Sequence, residues 1–262
     1  MESLPLPQHL KVINLGKHHD SITIEPCFPG YGITLANALR RVMISSLPGA
    51  AVTAVKVVSV SHEFSSIPGV KEDVVDILLN LRRLRLIVHN SEPVKIILKA
   101  SGEREVTATD IKTTSDVEII SKDLHIATLT EKKAELEMEL TVRQGRGYVP
   151  VESSDKEKEE LGQIAVDAIF TPIVKVGFNI EDVRVGQTTN FDRIIFDIET
   201  DGTVSPLEAI CEASKILINH FNFIINEDSS VGESVAATDE TIVEENKPVA
   251  KKRGRPKKEI NV

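Results

Sequence analysis

Strict alternation of apolar and polar residues is the strongest pattern along the chain. Ala134, Leu136, Met138, Leu140 and Val142 share one face, and Glu135, Glu137, Glu139, Thr141 and Arg143 share the other. Successive strand side chains point to opposite faces of a sheet, so this spacing predicts a half-buried strand with an acidic outer face. Val174, Val176, Phe178 and Ile180 alternate in the same way with Lys175, Gly177, Asn179 and Glu181, and Ile194, Phe196 and Ile198 with Ile195, Asp197 and Glu199. Residues 21–25, 52–61 and 94–99 read as further strands. Short connections and frequent polar outer faces favour antiparallel pairing.

Three segments switch to helical spacing. In "TLANALRRVMISS" (34–46), Leu35, Leu39, Val42 and Met43 form an apolar stripe, Thr34 is placed to cap, and Pro48-Gly49 ends the run. A second helix over 71–81 carries Glu72 and Asp73 at its positive end. The third, "SPLEAICEASKILINHFNFII" (205–225), has Ser205 as cap, Pro206 at the first helical position and Glu208 completing a capping box. Its residues Leu207, Ile210, Ser214, Leu217, Phe221 and Ile224 recur at the spacing of a coiled-coil seam. Ala213, Ile216 and Phe223 widen that face beyond what one neighbouring helix needs. Two arrangements meet the pattern: a helix lying on its own sheet, and a helix with part of its face against a second subunit. From Asn226 the chain turns acidic, small and non-aromatic, which predicts a disordered linker.

The 262 residues suffice for one large domain or two ordinary ones, and 41% apolar with 27% charged residues supports a core of normal size. With no Trp and few other aromatics, aliphatic residues must fill the interior, which suits a scaffold better than an aromatic ligand pocket. Cys27 and Cys211 stand far apart with no CxxC, which excludes a disulfide framework and points to a reducing compartment. The first twenty residues hold no apolar core of a secretory signal, and no apolar run approaches the roughly 20 residues of a membrane span, so the expected location is cytoplasmic.

Catalytic patterns are missing. Gly30 and Gly32 form a GxG without a third glycine in register, there is no GKS or GKT, and the seven histidines contain no HExxH. The adjacent His18 and His19 fit loop bystanders as well as metal ligands. "QGRGYVP" (144–150) fits an anion cradle with Arg146, and equally a tight loop. No catalytic residue, metal or cofactor is therefore expected in this chain.

Several segments, taken together, carry a resemblance. "GYGITLANALRRVMISSLPGAAV" (30–52), "HEFSSIPGVKEDVVDILLNL" (62–81), "RQGRGYVP" (143–150), "VDAIFTPIVKVGFNIEDVRVGQTTNFDRIIFDIETDGT" (166–203) and the Ser205 helix resemble, in order and spacing, the bacterial RNA polymerase alpha subunit over roughly residues 1–226. That resemblance implies an α+β fold in two parts. A dimerisation domain of antiparallel sheet plus helices would be made from residues 1–48 and 173–226, with a mainly β domain, 49–172, inserted into it. An acidic linker (227–250) and a basic tail (251–262) would follow.

The resemblance also implies a homodimer, with Tyr31, Leu35 and Val42 of one copy against Leu217, Phe221 and Ile224 of the other. The dimer would carry the large beta and beta-prime subunits, which would supply nucleotidyl transfer and its Mg²⁺. Adjacent arginines on a helix project about 100° apart, so with Leu35, Leu39 and Val42 turned inward at least one of Arg40 and Arg41 faces outward. A solvated charge and a partner contact both fit that geometry. The resemblance places Arg41 where the family grips the beta subunit, and Arg82 and Val166 where the large subunits dock; lysine is frequent at the Arg82 position.

Charge separates the tail from the rest. Net charge is −9, yet residues 247–262 hold seven of the 31 Lys and Arg and one of the 40 Asp and Glu, leaving 24 cations against 39 anions in the body, a net −15. The family usually ends in a helical DNA-binding domain, but no second set of apolar helices follows Asn226. "KKRGRPKK" (251–258) instead resembles the AT-hook of chromatin proteins. Gly254 lets the backbone sit deep in a narrow groove, Arg253 and Arg255 extend along its floor, and Pro256 keeps the chain extended. Lys251, Lys252, Lys257 and Lys258 add salt-sensitive attraction to phosphates. A generic basic tail also fits. The expected role is a non-catalytic, nucleoid-associated assembly subunit of RNA polymerase. The alternatives are a free-standing architectural AT-hook protein and the archaeal or eukaryotic form of the scaffold, against which two isolated cysteines argue.

Overall fold

The computed structural model describes residues 4–58, 60, 62–153 and 162–234. In chain order the elements are β1 (His9–Gly16), β2 (His19–Cys27), α1 (Tyr31–Ser46), β3 (Pro48–Val57), α2 (Val74–Leu81), β4 (Leu86–Val88), β5 (Val94–Ser101), β6 (Arg104–Thr107) and β7 (Ile111–Lys112). There follow β8 (Val117–Ile119), β9 (His125–Leu129), β10 (Glu135–Arg146), β11 (Tyr148–Val149), β12 (Ile164–Ala165), β13 (Ala168–Ile169), β14 (Ile173–Val185), β15 (Thr188–Thr200) and α3 (Pro206–Ser234). Among the described residues every strand pair is antiparallel, and the class is α+β. Residues 1–218 form one compact unit, and the described part of a second is the stretch of α3 from Asn219.

The first unit holds two main cores. One lies on a four-stranded sheet ordered β1-β2-β15-β14. The alternation read at Ile194, Phe196 and Ile198 holds: all three are fully buried, with Phe196 opposite Ile22 on one side and Phe178 on the other. Ala36, Leu39 and Met43 of α1 and Ala209, Ile210 and Ala213 of α3 pack into the same core. Strands β2 and β15 are separated by 160 residues of sequence, yet they pair along most of their length. Glu25 of β2 receives Arg193 and Lys11 from its two neighbouring strands. The Arg193 hydrogen bond outweighs burial and holds the Glu25 carboxyl below its ordinary range.

The second core draws on residues 52–166, between the two halves of the first. Its main sheet is ordered β12-β3-β10-β5-β7. Leu136, Met138, Leu140 and Val142 point from β10 into this core with Val74, Ile77 and Leu81 of α2, as the alternation requires. On the outer face Lys95 pairs with Glu139 and Lys99 with Glu137 across the strands, which is where the acidic half of the pattern finds its partners.

Four local expectations are corrected. Val174 is 59% exposed rather than inward, because the register between β14 and β15 slips between Ile173 and Lys175; such a bulge turns the extra residue out of the alternation. Helix α2 begins at Val74, not at 71. Glu72 is drawn aside, accepting hydrogen bonds from the Thr128 N–H at 2.6 Å and hydroxyl at 2.9 Å. Helix α1 begins at Tyr31 rather than at Thr34. Helix α3, whose Ser205–Glu208 capping box forms as read, continues to Ser234, eight residues into the expected linker; propagating an established helix costs far less than starting one.

Candidate functional site

The early start of α1 has a tertiary cause. Asp192 of β15 accepts hydrogen bonds from the N–H groups of Gly30 and Gly32, both at 2.9 Å on Oδ2. A carboxylate from another strand thus does what a local cap residue usually does, and it also sits favourably at the helix's positive end. A Cβ at position 32 would lie 2.7 Å from the Asp192 Cβ, so glycine is what permits this approach. With the start of α1 tied to β15 and Leu47 buried just past its end, the helix is fixed at both ends.

That fixes which residues face out. Gly32, Ala36, Leu39 and Met43 are buried. Leu35, read as part of the inward stripe, is 38% exposed, and Val42 is half-buried at the edge of the core. Tyr31, Ile33 and Ile44 are also exposed. Tyr31 and Leu35 line an apolar cavity of about 200 Å³ with Leu4, Leu6, Cys27 and Phe28. Arg40 and Arg41 are both exposed. Among the described residues neither guanidinium has a recorded hydrogen-bond or ion-pair partner, so their charges are free for an outside acceptor. On α3, Leu217 is half-buried against the first core. In the second unit Phe221, Phe223 and Ile224 are exposed, at 57%, 66% and 62%.

A second group gathers around Arg82, the C-terminal cap residue of α2. Its guanidinium lies 5.7 Å from the centre of the Tyr148 ring and its Nη1 3.6 Å from Asp167 Oδ2. The Tyr148 hydroxyl donates to the same carboxylate oxygen at 3.0 Å, while the Val151 N–H donates to Oδ1 at 3.1 Å. The bond to Asp167, reinforced by partial burial and the carboxylate's charge, raises the Tyr148 pKa. Val166, expected to dock a partner, is only 8% exposed and belongs to the second core, so its side chain packs inward while its neighbour Asp167 faces the arginine. Sequence reasoning missed Asp192, Tyr148 and Asp167 as site residues. Tyr148 lies inside the quoted "RQGRGYVP" and Asp167 directly follows Val166, but nothing local signals that either meets Arg82.

Among the described residues no group of three or more His, Cys, Asp or Glu is placed to hold a metal ion, and no helix is long and apolar enough to cross a membrane. Both cysteines are free thiols. The basic residues 251–258 lie outside the described residues.

Residues 53–171, nearly the span of the second core, match the family described as RNA polymerase Rpb3/RpoA insert domain. The chain is 49% identical over 213 residues to the DNA-directed RNA polymerase subunit alpha of Alkaliphilus oremlandii (strain OhILAs), covering 81% of this chain and 67% of that protein. The chain belongs to the DNA-directed RNA polymerase alpha subunit family. Other alpha subunits align similarly. That of Symbiobacterium thermophilum is 50% identical over 208 residues, 79% of this chain and 66% of its own length. That of Moorella thermoacetica is 47% identical over 222 residues, 85% of this chain and 71% of its own. The alpha-subunit match therefore spans most of this chain and about two thirds of those relatives.

Proposed function

We propose that the chain is a non-catalytic assembly subunit of DNA-directed RNA polymerase, working as a homodimer on which the beta and beta-prime subunits are built. The observation that carries this reading, in a chain of the alpha-subunit family, is the outward face of α1. A helix held at both ends presents exposed Tyr31, Ile33, Leu35 and Ile44 together with two arginines that have no recorded partner among the described residues. Rigid presentation lowers the entropy a partner must remove on docking, and arginine's planar fork suits carbonyl or carboxylate groups at an interface. The exposed apolar residues of α1 and of α3 supply the surface a second copy covers, with Tyr31, Leu35 and Val42 of one copy meeting Leu217, Phe221 and Ile224 of the other. Mg²⁺ and nucleotidyl transfer belong to the large subunits in this reading.

Co-expression with the beta and beta-prime subunits tests it. In Arg41→Ala the dimer is retained, and capture of the beta-containing complex falls by about tenfold or more, the size expected for a central interface arginine. Capture at the wild-type level would remove Arg41 from the docking surface.

The tail extends the proposal to DNA. Arg253 and Arg255 follow the floor of an A·T-rich minor groove, and the flanking lysines neutralise phosphates. Deleting 251–258 leaves assembly intact and weakens binding of the polymerase to A·T-rich upstream DNA in low-salt gel shifts. Unchanged shifts would sink the hook assignment.

A further inference from the structure

Arg82, Tyr148 and Asp167 come from three separate segments, and the backbone around the carboxylate is pinned from both sides. The Val166 N–H donates to Thr53 O at 2.9 Å, Ala168 pairs with Val149, and the Phe170 N–H donates to Gly147 O at 2.8 Å. Both oxygens of Asp167 are engaged, Oδ1 by the Val151 N–H and Oδ2 by the Tyr148 hydroxyl and Arg82. The carboxylate therefore cannot rotate freely, and it meets the guanidinium from one side while the Tyr148 ring lies beneath it.

Stability alone gives a poor account of this arrangement. Asp167 and Arg82 are each about one-third exposed and 3.6 Å apart, a geometry in which an ion pair contributes little. The arrangement also leaves Arg82 Nε buried without an acceptor, which is a cost to the isolated chain. What the contacts do achieve is to immobilise a long, rotamer-rich side chain that still reaches the surface. A side chain ordered in advance loses less freedom when a partner arrives. Arginine's plane is also what allows one group to lie on a ring and face a carboxylate at once.

We infer that Asp167, supported by Tyr148, is a positioning residue that fixes the Arg82 guanidinium for docking of a large polymerase subunit. The inference rests on the assembly role proposed above. It adds that the docking element is a three-residue unit in which Asp167 acts only through Arg82.

A double-mutant cycle on the full chain, co-expressed with the beta and beta-prime subunits, tests it by measuring large-subunit capture, dimer content and melting temperature together. Arg82→Ala lowers capture about tenfold, and Asp167→Asn lowers it about threefold to tenfold, with dimer content unchanged in both. The double variant captures no less than Arg82→Ala alone, because an aspartate that works through the arginine has nothing left to position. A merely structural aspartate instead lowers capture by the same factor in either background, and that result overturns the inference. Wild-type capture by Asp167→Asn beside a loss in Arg82→Ala overturns it while leaving the assembly role standing. Wild-type capture by Arg82→Ala removes this surface from docking altogether. If Asp167→Asn loses the dimer, Tyr148→Phe decides. It keeps the ring under the guanidinium and removes only the hydroxyl that holds Asp167. A fall in capture of about threefold supports the inference, and unchanged capture overturns it.

Discussion

Phe221→Asp combined with Ile224→Asp is expected to convert the proposed dimer into a monomer at micromolar concentration. Both side chains are more than half exposed in the single chain, so most of what they contribute must come from an outside partner. In a two-fold interface each change occurs twice. Four apolar side chains then lose roughly 1 kcal/mol of further burial each, a fraction of the ~1.5–3 kcal/mol for full transfer from water. The total, about 4 kcal/mol, raises the dissociation constant roughly a thousandfold, and the buried aspartates add to it. Sedimentation velocity reads the change directly. Because the two residues lie outside both cores, the melting of the 1–218 unit should move little. A variant that still sediments as a dimer would remove Phe221 and Ile224 from the interface. A wild type that sediments as a monomer would end the dimer proposal, and with it the platform role.

Phe196→Ala has the largest expected effect on the fold. The ring is fully buried, sits between Ile22 and Phe178 across neighbouring strands, and meets Phe178 edge-on at 6.2 Å. Truncating such a side chain costs about 3–5 kcal/mol, from lost transfer free energy and from the cavity left behind. That is a large share of the ~5–15 kcal/mol by which an ordinary domain is stable. The sheet also carries Asp192, so α1 and its arginines lose their support along with the core. Urea titration followed by far-ultraviolet circular dichroism should show an earlier midpoint. A loss below about 1 kcal/mol would mean that the site collapses around the smaller residue.

How much of this was legible depended on how far each cause lies along the chain. Alternation at 134–143 and 194–198 placed β10 and β15 with the right faces inward, because period two is a local property and both faces differ sharply. The capping box at Ser205 was legible for the same reason: its two partners are three residues apart. The start of α1 was not, since its cap is a carboxylate 160 residues away. Leu35 looked inward because it continues the apolar stripe of Leu39, Val42 and Met43, whereas the packed face is set by the smaller Gly32 and Ala36, which allow close approach to the sheet. The slip that exposes Val174 is a property of the strand pair and leaves no trace in either strand alone. Strand β1 went unread because it lies at the sheet edge with Leu10, Val12, Ile13 and Leu15 exposed, so no one-sided burial shaped its pattern. The resemblance pointed to Arg41 and Arg82 as expected docking residues; it gave no hint that Tyr148 and Asp167 hold the latter.

The interleaving of the two cores has a consequence for biosynthesis. The core spanning 52–166 contains every strand it needs once residue 166 has emerged, so it is free to close on the ribosome. The other core waits, because β2 has no central neighbour until β15 arrives from beyond residue 188. During that interval Ile22, Met43 and their neighbours remain uncovered on the nascent chain. Recruitment of the proposed twin, and of anything built on the pair, would thereby be postponed until residue 200 has emerged.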